Sequence, residues 1–187
     1  MRINDSQLPA ITSNSKRQFP SFLLSILRLI LLPMLLTVAM SSGAFSLKDT
    51  DNKSHKLADL KGKWVVINFW ATWCAPCVKE IPDIAAFAKA QATLGDKTRV
   101  IGIALDWETS EGKDKLNDIA KLKRTASRFG HTYPLVLGDD NTEKVFGKIK
   151  GMPTTLVYNP EGKLVYNKTG LVTSALLTRV VNGETLN

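Results

Sequence analysis

Two cysteines, Cys74 and Cys77, are the residues of this 187-residue chain whose type and spacing most clearly indicate chemistry. They are the only cysteines in the sequence, and only Ala75 and Pro76 separate them. On the first turn of a helix, this spacing allows the two sulfurs to approach to bonding distance. The free N–H groups and partial positive charge of a helix N-terminus stabilise a thiolate. We therefore predict that Cys74 is the attacking sulfur and that Cys77, one turn inside, is shielded and resolves the mixed disulfide.

A structural disulfide and half of a zinc site are the other uses that this cysteine pair could have. A structural bridge that closes so small a loop would gain little loop entropy. Zinc would need further ligands, and His55 and His131 have no ligand-like spacing to the pair. The pattern therefore favours a redox-active disulfide formed by Cys74 and Cys77, and we expect no metal and no other cofactor.

The elements that must position the cysteines alternate between strand and helix. Residues 64–69 are an apolar run rich in β-branched side chains, which predicts a buried central strand directly before the pair. Apolar residues recur at helical spacing from Cys74 onward, with Pro76 at an early position that tolerates proline and Pro82 expected to kink the helix. The other predicted elements are an edge strand at 45–48, strands at 99–105, 133–137, 154–158 and 164–167, a helix at 111–129, a helix through residue 146 capped by Asn141 and ended by Gly147, and a helix at 175–181 capped by Ser174. This order predicts an α/β fold, with a central mixed β-sheet flanked by helices on both faces.

The chain carries a formal net charge of +8, but its basic residues are scattered. A short cluster such as Lys121, Lys123 and Arg124 is typical of a solvated helix face. Because no arginine-rich tract or interleaved aromatic residues accompany it, we expect no nucleic-acid partner.

The first 44 residues differ from the rest and have the layout of a secretory signal peptide. A polar start is followed by an apolar run, and then by small residues. Ser42 and Ala44 stand at the −3 and −1 positions before Phe45, as an export peptidase requires. We predict cleavage there, which makes residues 1–44 a leader and residues 45–187 the folded domain.

A retained membrane anchor at residues 22–40 is the alternative. Its 19 residues would just span a bilayer, but Arg28 would lie in the hydrocarbon. Either arrangement would export the domain, so we expect it in the periplasm or on the extracytoplasmic side of the inner membrane.

Residues 67–77 read INFWATWCAPC and are followed by Glu80 and Pro82. This stretch resembles the thioredoxin superfamily, and more narrowly it is similar to the exported TlpA/ResA/CcmG-like reductases, some of which serve cytochrome c maturation. The similarity runs from about Phe45 to the C-terminus, and residues 57–63 also fit the subgroup. It implies a thioredoxin fold, exchange with thiols or disulfides of protein substrates, and a membrane thiol protein that donates electrons.

Residues 151–155, GMPTT, form a second motif. By resemblance, Pro153 is the cis-proline that faces the cysteine pair in thioredoxin folds. A cis bond would turn the backbone of Met152 toward the site, where its N–H and C=O can pair with an extended substrate segment. Four residues are expected to bind substrate: Trp73 and Pro76, which lie beside the cysteines, and Met152 and Pro153. Trp70 and Trp73 are expected to form an apolar wall that excludes water.

Two further residues are candidates for tuning the chemistry of the cysteine pair. Asn68 lies where cytosolic thioredoxins, which this chain resembles, carry a buried Asp, and a neutral Asn cannot act as a base. Glu80, one turn after Cys77, resembles the acidic residue of the ResA-like subgroup and would take over proton handling for Cys77. A solvated helix carboxylate is the alternative for Glu80.

The sequence leaves the direction of electron flow open, and only the resemblance favours a reductase over a disulfide-forming oxidase. An exported copper(I) carrier is a further alternative, since soft thiolates select that ion. Copper carriers of this fold tend to have a longer cysteine spacing and a partner His, which this chain does not match. A peroxiredoxin is disfavoured because residues 67–72 lack the proline and hydroxyl spacing expected before a peroxidatic cysteine.

Overall fold

The computed structural model describes residues 45–106 and 113–184, without the side chains of 113–115. The predicted leader or anchor and the first two residues of the helix predicted at 111–129 therefore lie outside the described residues. Within the described ranges, no helix has the length and apolar character that a bilayer crossing requires.

A five-stranded mixed sheet forms the centre of the domain, in the order β5-β4-β3-β6-β7. Strand β3 lies in the middle, parallel to β4 and antiparallel to β6, and β7 pairs antiparallel with β6. The strands are β1 (Ser46–Lys48), β2 (Ser54–Lys56), β3 (Trp64–Trp70), β4 (Thr98–Ala104), β5 (Leu135–Leu137), β6 (Thr154–Tyr158) and β7 (Leu164–Thr169). The helices are a 3-10 turn (Leu57–Leu60), α1 (Ala75–Thr93), α2 (Lys113–Arg128), α3 (Thr142–Phe146) and α4 (Ser174–Val181). The predicted α/β class with a mixed sheet is confirmed, and the strands of this sheet agree with their predicted bounds to within two residues.

Alternation along β3 divides the core between the two faces of the sheet. Val65, Ile67 and Phe69 pack on one face, against the 3-10 turn and the α3 side chain Phe146. On the opposite face, Val66 packs against α1 and α4, and Trp70 packs against the cysteines and α2. Asn68 shares this second face, so the centre of the sheet presents one polar side chain beneath the helix that carries the cysteines.

The strand predicted at 45–48 is Ser46–Lys48, and it does not join the central sheet. It pairs with Ser54–Lys56 in a separate two-stranded sheet. The carboxylate of Asp49 organises the turn, because it accepts hydrogen bonds from two backbone N–H groups of the turn and lies 2.7 Å from the ring of His55. The short polar strand β2 has no apolar alternation that would predict it.

The two predicted helix caps have different outcomes. Asn141 stands at the N-cap of α3 as predicted, but its side chain makes no cap bond, and its backbone N–H donates to Asp139 Oδ1 at 3.0 Å. Thr173, rather than Ser174, caps α4 by accepting from the N–H of Leu176 at 3.2 Å. Gly147 ends α3 at a positive φ of 80° as expected, and α1 continues through Pro82 over 19 residues.

Candidate active site

The cysteine pair lies where β3 gives way to α1. Cys74 is the N-cap of α1 and Pro76 occupies the first turn, where a missing N–H leaves no hydrogen bond unmade. The structure holds a disulfide between Cys74 and Cys77, with Cα atoms 5.3 Å apart, and the N–H of Cys77 donates to Cys74 Sγ at 3.3 Å. Cys74 is 6% exposed and Cys77 is fully buried. The cysteine nearer the helix end is therefore the less completely buried of the two.

A carboxylate that the sequence analysis missed fixes the loop before Cys74. Asp106 accepts from the hydroxyl of Thr72 at 2.6 Å and from its N–H at 3.2 Å. The N–H of Cys74 in turn donates to the carbonyl of Ala71 at 3.1 Å. Asp106 lies two residues after the end of β4, the parallel neighbour of β3, and the carboxyl ends of parallel neighbours meet at one edge of a sheet. That placement is the signal that could have identified it.

The two tryptophans have different environments. Trp70 is fully buried in the cluster that contains both cysteines. Trp73 is 65% exposed, so the prediction that it helps to exclude water is wrong. It follows the end of β3 on the loop and presents an aromatic surface directly beside Cys74 in the chain.

The peptide bond between Met152 and Pro153 is cis, as the motif predicted. Met152 packs against the cluster that contains Cys74 and Cys77. The carbonyl of Pro153 accepts from the N–H of Gly170 at 2.8 Å, whereas no hydrogen bond between described residues uses the backbone of Met152. The structure therefore brings the predicted proline loop to the cysteine pair. The backbone N–H and C=O of Met152 make no hydrogen bond among the described residues.

Glu80 is only 2% exposed, so the alternative of a solvated helix carboxylate is wrong. Its Oε1 accepts from Asn68 Nδ2 at 2.7 Å, and its Oε2 accepts from the N–H of Val172 at 2.9 Å. Asn68 Nδ2 also donates to Thr155 Oγ1 at 3.2 Å. Asn68 is therefore in direct contact with Glu80, which lies one helical turn beyond Cys77.

Burial raises the pKa of Glu80 above its usual value of 4.5. The hydrogen bonds from Val172 and Asn68 and the cationic Lys168 act in the opposite direction, and the nearby Asp83 adds to the increase. The net direction follows from desolvation, because a buried carboxylate loses more hydration than two hydrogen bonds restore. The increase moves the pKa of this side chain toward neutral pH, and a pKa nearer to the working pH suits a proton acceptor or donor.

The mixed sheet, the cysteine pair at a helix N-terminus and the cis-proline loop together define a thioredoxin-fold protein of the thiol–disulfide oxidoreductase class. Residues 41–167 match the AhpC/TSA family. The chain therefore belongs to the AhpC/TSA family.

Comparison with individual proteins agrees with this class. The chain is 34% identical to thiol-disulfide oxidoreductase ResA of Bacillus subtilis (strain 168) over 145 residues. This alignment covers 75% of this chain and 74% of that protein. A crystal structure of a thioredoxin-family thiol:disulfide interchange protein from Chlorobium tepidum TLS superposes with a TM-score of 0.62 at 30% identity, over 75% of this chain and 92% of that one. The exposed lipoprotein thioredoxin Etrx1 of Streptococcus pneumoniae strain TIGR4 superposes with a TM-score of 0.57 at 27% identity, over 75% and 98%. The protein is a thiol–disulfide oxidoreductase that catalyses dithiol–disulfide exchange.

Proposed function

We propose that this protein is an exported reductase of disulfides in specific extracytoplasmic proteins. Cys74 is the nucleophile and Cys77 is the resolving thiol. The observation that carries the assignment of roles is the contrast between Cys74, 6% exposed at the helix N-cap, and Cys77, fully buried one turn from Glu80.

In the reduced enzyme, the Cys74 thiolate attacks one sulfur of a substrate disulfide and the other substrate sulfur leaves as a thiolate. Cys77 then attacks Cys74 in the mixed disulfide, which releases the second substrate thiolate and forms the Cys74–Cys77 disulfide. Two electrons pass from the cysteine pair to the substrate, and the two substrate thiolates take up protons. A membrane thiol protein re-reduces the pair by the same exchange.

Cys77 must lose its proton before it attacks, and Glu80 is the acceptor in this proposal. Glu80 is buried on the same helix and its pKa is raised, so it takes up a proton more readily than an exposed carboxylate does. Asn68 donates to the carboxylate and thereby tunes its proton affinity.

Substrate binding is assigned to the surface around Cys74. The unused backbone groups of Met152, beside cis-Pro153, are suited to pair with an extended substrate segment. Trp73 directly precedes Cys74 and offers an exposed apolar contact, and Pro76 is exposed between the two cysteines.

Export is inferred from the signal-like residues 1–44, and the reducing direction from the resemblance to exported reductases. Because some of those reductases serve cytochrome c maturation, we propose the same process for this protein. The pneumococcal relative is described as an exposed lipoprotein, which supports an extracytoplasmic site of action. Electron transfer to substrates outside the cytoplasm then requires a donor in the membrane.

Trapping of the mixed disulfide tests the assigned roles. Cys77→Ser leaves the nucleophile without its resolving partner, so it should accumulate a covalent adduct with a disulfide-containing substrate on a non-reducing gel. Cys74→Ser is the matched control and should trap none, and efficient trapping by that control would reverse the roles.

A reduction potential of the full-length protein of about −270 mV supports a reductase, whereas one of about −120 mV supports the oxidase alternative.

A further inference from the structure

The aromatic rings of Trp70, His131 and Tyr133 stack beside the Asn68–Glu80 pair. The exchange reaction described above assigns no role to His131 or Tyr133. The ring centroid of His131 lies 5.5 Å from that of Trp70 and 3.8 Å from that of Tyr133. Trp70 packs with the cysteines, whereas Tyr133 packs with the α1 and α4 residues of the same sheet face. The stack therefore runs alongside the buried polar network.

A glycine creates the space that the stack occupies. Gly102 of β4 is the register partner of Asn68 in β3, and side chains at paired positions of parallel strands point to the same face. A Cβ at residue 102 would lie 2.5 Å from His131 Nε2 and 3.0 Å from Tyr133 Cε2. The rings of His131 and Tyr133 thus fill the position next to Asn68 that a side chain would otherwise take.

Four buried polar atoms in this region have no hydrogen-bond partner among the described residues. They are Asn68 Oδ1, Trp70 Nε1, His131 Nε2 and Tyr133 Oη. Buried polar atoms in folded proteins are nearly always paired. An amide oxygen can only accept and a phenol hydroxyl can donate, so Asn68 and Tyr133 complement each other. Both Nδ2 contacts of Asn68 are occupied, which leaves its oxygen as the open end of the Glu80 network.

We propose that Tyr133 is a positioning residue for Glu80. Its hydroxyl donates to Asn68 Oδ1 through one bridging water, and this bridge holds the Asn68 amide with Nδ2 on the carboxylate. Tyr133 therefore acts on the proton affinity of Glu80 through Asn68. The mechanistic importance of that affinity rests on the function proposed above for Glu80.

The groups that face Glu80 set the direction of the effect. Asp83 of its own helix raises the pKa of Glu80, whereas Lys168 of β7, the Val172 N–H and the Asn68 amide lower it. The ring of His131 contributes no positive charge near neutral pH, because burial lowers its pKa to about 4. Burial and the charge of Glu80 both raise the pKa of Tyr133, so its hydroxyl stays protonated as a donor.

Without the hydroxyl of Tyr133, the Asn68 amide is free to turn and donates less effectively to Glu80. The carboxylate then loses stabilisation and its pKa rises further. The hydrogen bond at stake corresponds to an upward shift of about half to one pH unit, or roughly a three- to tenfold change in proton affinity.

The experiment measures the titration of the Glu80 side-chain carboxyl by ¹³C NMR in the full-length oxidised protein. The signal is assigned by its loss in Glu80→Gln. Tyr133→Phe keeps the ring and removes the hydroxyl, and its midpoint should move upward by the stated amount. Tyr158→Phe removes the hydroxyl of a buried tyrosine on the opposite sheet face and should leave the midpoint unchanged. An unchanged midpoint in Tyr133→Phe, or an equal shift in Tyr158→Phe, overturns the proposal.

A second variant tests the route through the amide. In an Asn68→Ala background, Tyr133→Phe should cause no further shift, because the group that couples Tyr133 to Glu80 is gone. A shift that persists in this background refutes the positioning role.

The NMR titration requires no turnover, so it separates this proposal from the proposed function. A midpoint shift in Tyr133→Phe with no matching change in the pH dependence of Cys77 attack would sustain the positioning and refute proton handling by Glu80.

Discussion

Replacement of Glu80 by glutamine tests whether the buried carboxylate has the energetic role that the structure indicates. In the wild type, its two oxygens accept from Asn68 Nδ2 and from the Val172 N–H. A glutamine amide has one acceptor oxygen, so its NH₂ group must face one of these donors. One buried N–H is left without a partner, at a cost of about 1–3 kcal/mol at acid pH, where both side chains are neutral.

The cost should fall as the pH rises. Burial raises the folded-state pKa of Glu80 above its usual value of 4.5, so the folded state binds this proton more tightly than the unfolded state does. This contribution to stability is fully present below 4.5 and is lost as the pH rises through the folded-state pKa. The loss amounts to about 1.4 kcal/mol for each unit by which the pKa is raised. Glutamine carries no such proton, so wild type and variant should converge toward neutral pH.

Urea unfolding of the oxidised proteins at intervals between about pH 4.5 and pH 8 measures both effects. Glu161→Gln, at an exposed position in the turn between β6 and β7, is the matched control and should shift the free energy of unfolding by less than about 0.5 kcal/mol. A difference between wild type and Glu80→Gln that is the same at every pH would refute the assigned desolvation. Equal stabilities at the acid end would refute the two-donor arrangement.

The remaining predictions concern packing, substrate contact and export. Gly102→Ala should lower the free energy of unfolding by about 1–3 kcal/mol in urea, because its Cβ would lie 2.5 Å from His131 Nε2, and a neutral result would contradict the ring placement. Trp73→Ala, at a side chain 65% exposed, should change stability by less than about 0.5 kcal/mol and slow the reduction of a protein disulfide more than that of a small one. Equal slowing of both reductions would remove Trp73 from substrate binding. Mass spectrometry of periplasmic protein should find an N-terminus near Phe45, whereas an intact N-terminus in the membrane fraction would establish an anchor at residues 22–40.

Local patterns in the sequence were sufficient to predict the centre of the site. The β-branched run before Cys74 and the helical spacing after it place the cysteines at a strand–helix junction, because strand and helix periodicity depend on near neighbours in the chain. Pro76 and Gly147 were also predictable, since backbone sterics restrict where proline and glycine fit. The cis-proline at Pro153 followed from a short motif and its resemblance to a family.

Tertiary packing decided the features that depend on distant residues. Glu80 is buried because α1 packs it against Asn68, 12 residues earlier, and against the Val172 N–H, 92 residues later. Helical spacing identifies the face on which Glu80 lies but not which loop covers that face. In the same way, the contact between Thr72 and Asp106 joins positions 34 residues apart. The ring stack beside Gly102 likewise arises only when β4 lies beside β3. The sequence thus determined which groups can react, because reactivity begins with residue type and local structure. The fold decided how readily they exchange protons, because burial and hydrogen bonding are set by the residues that pack around them.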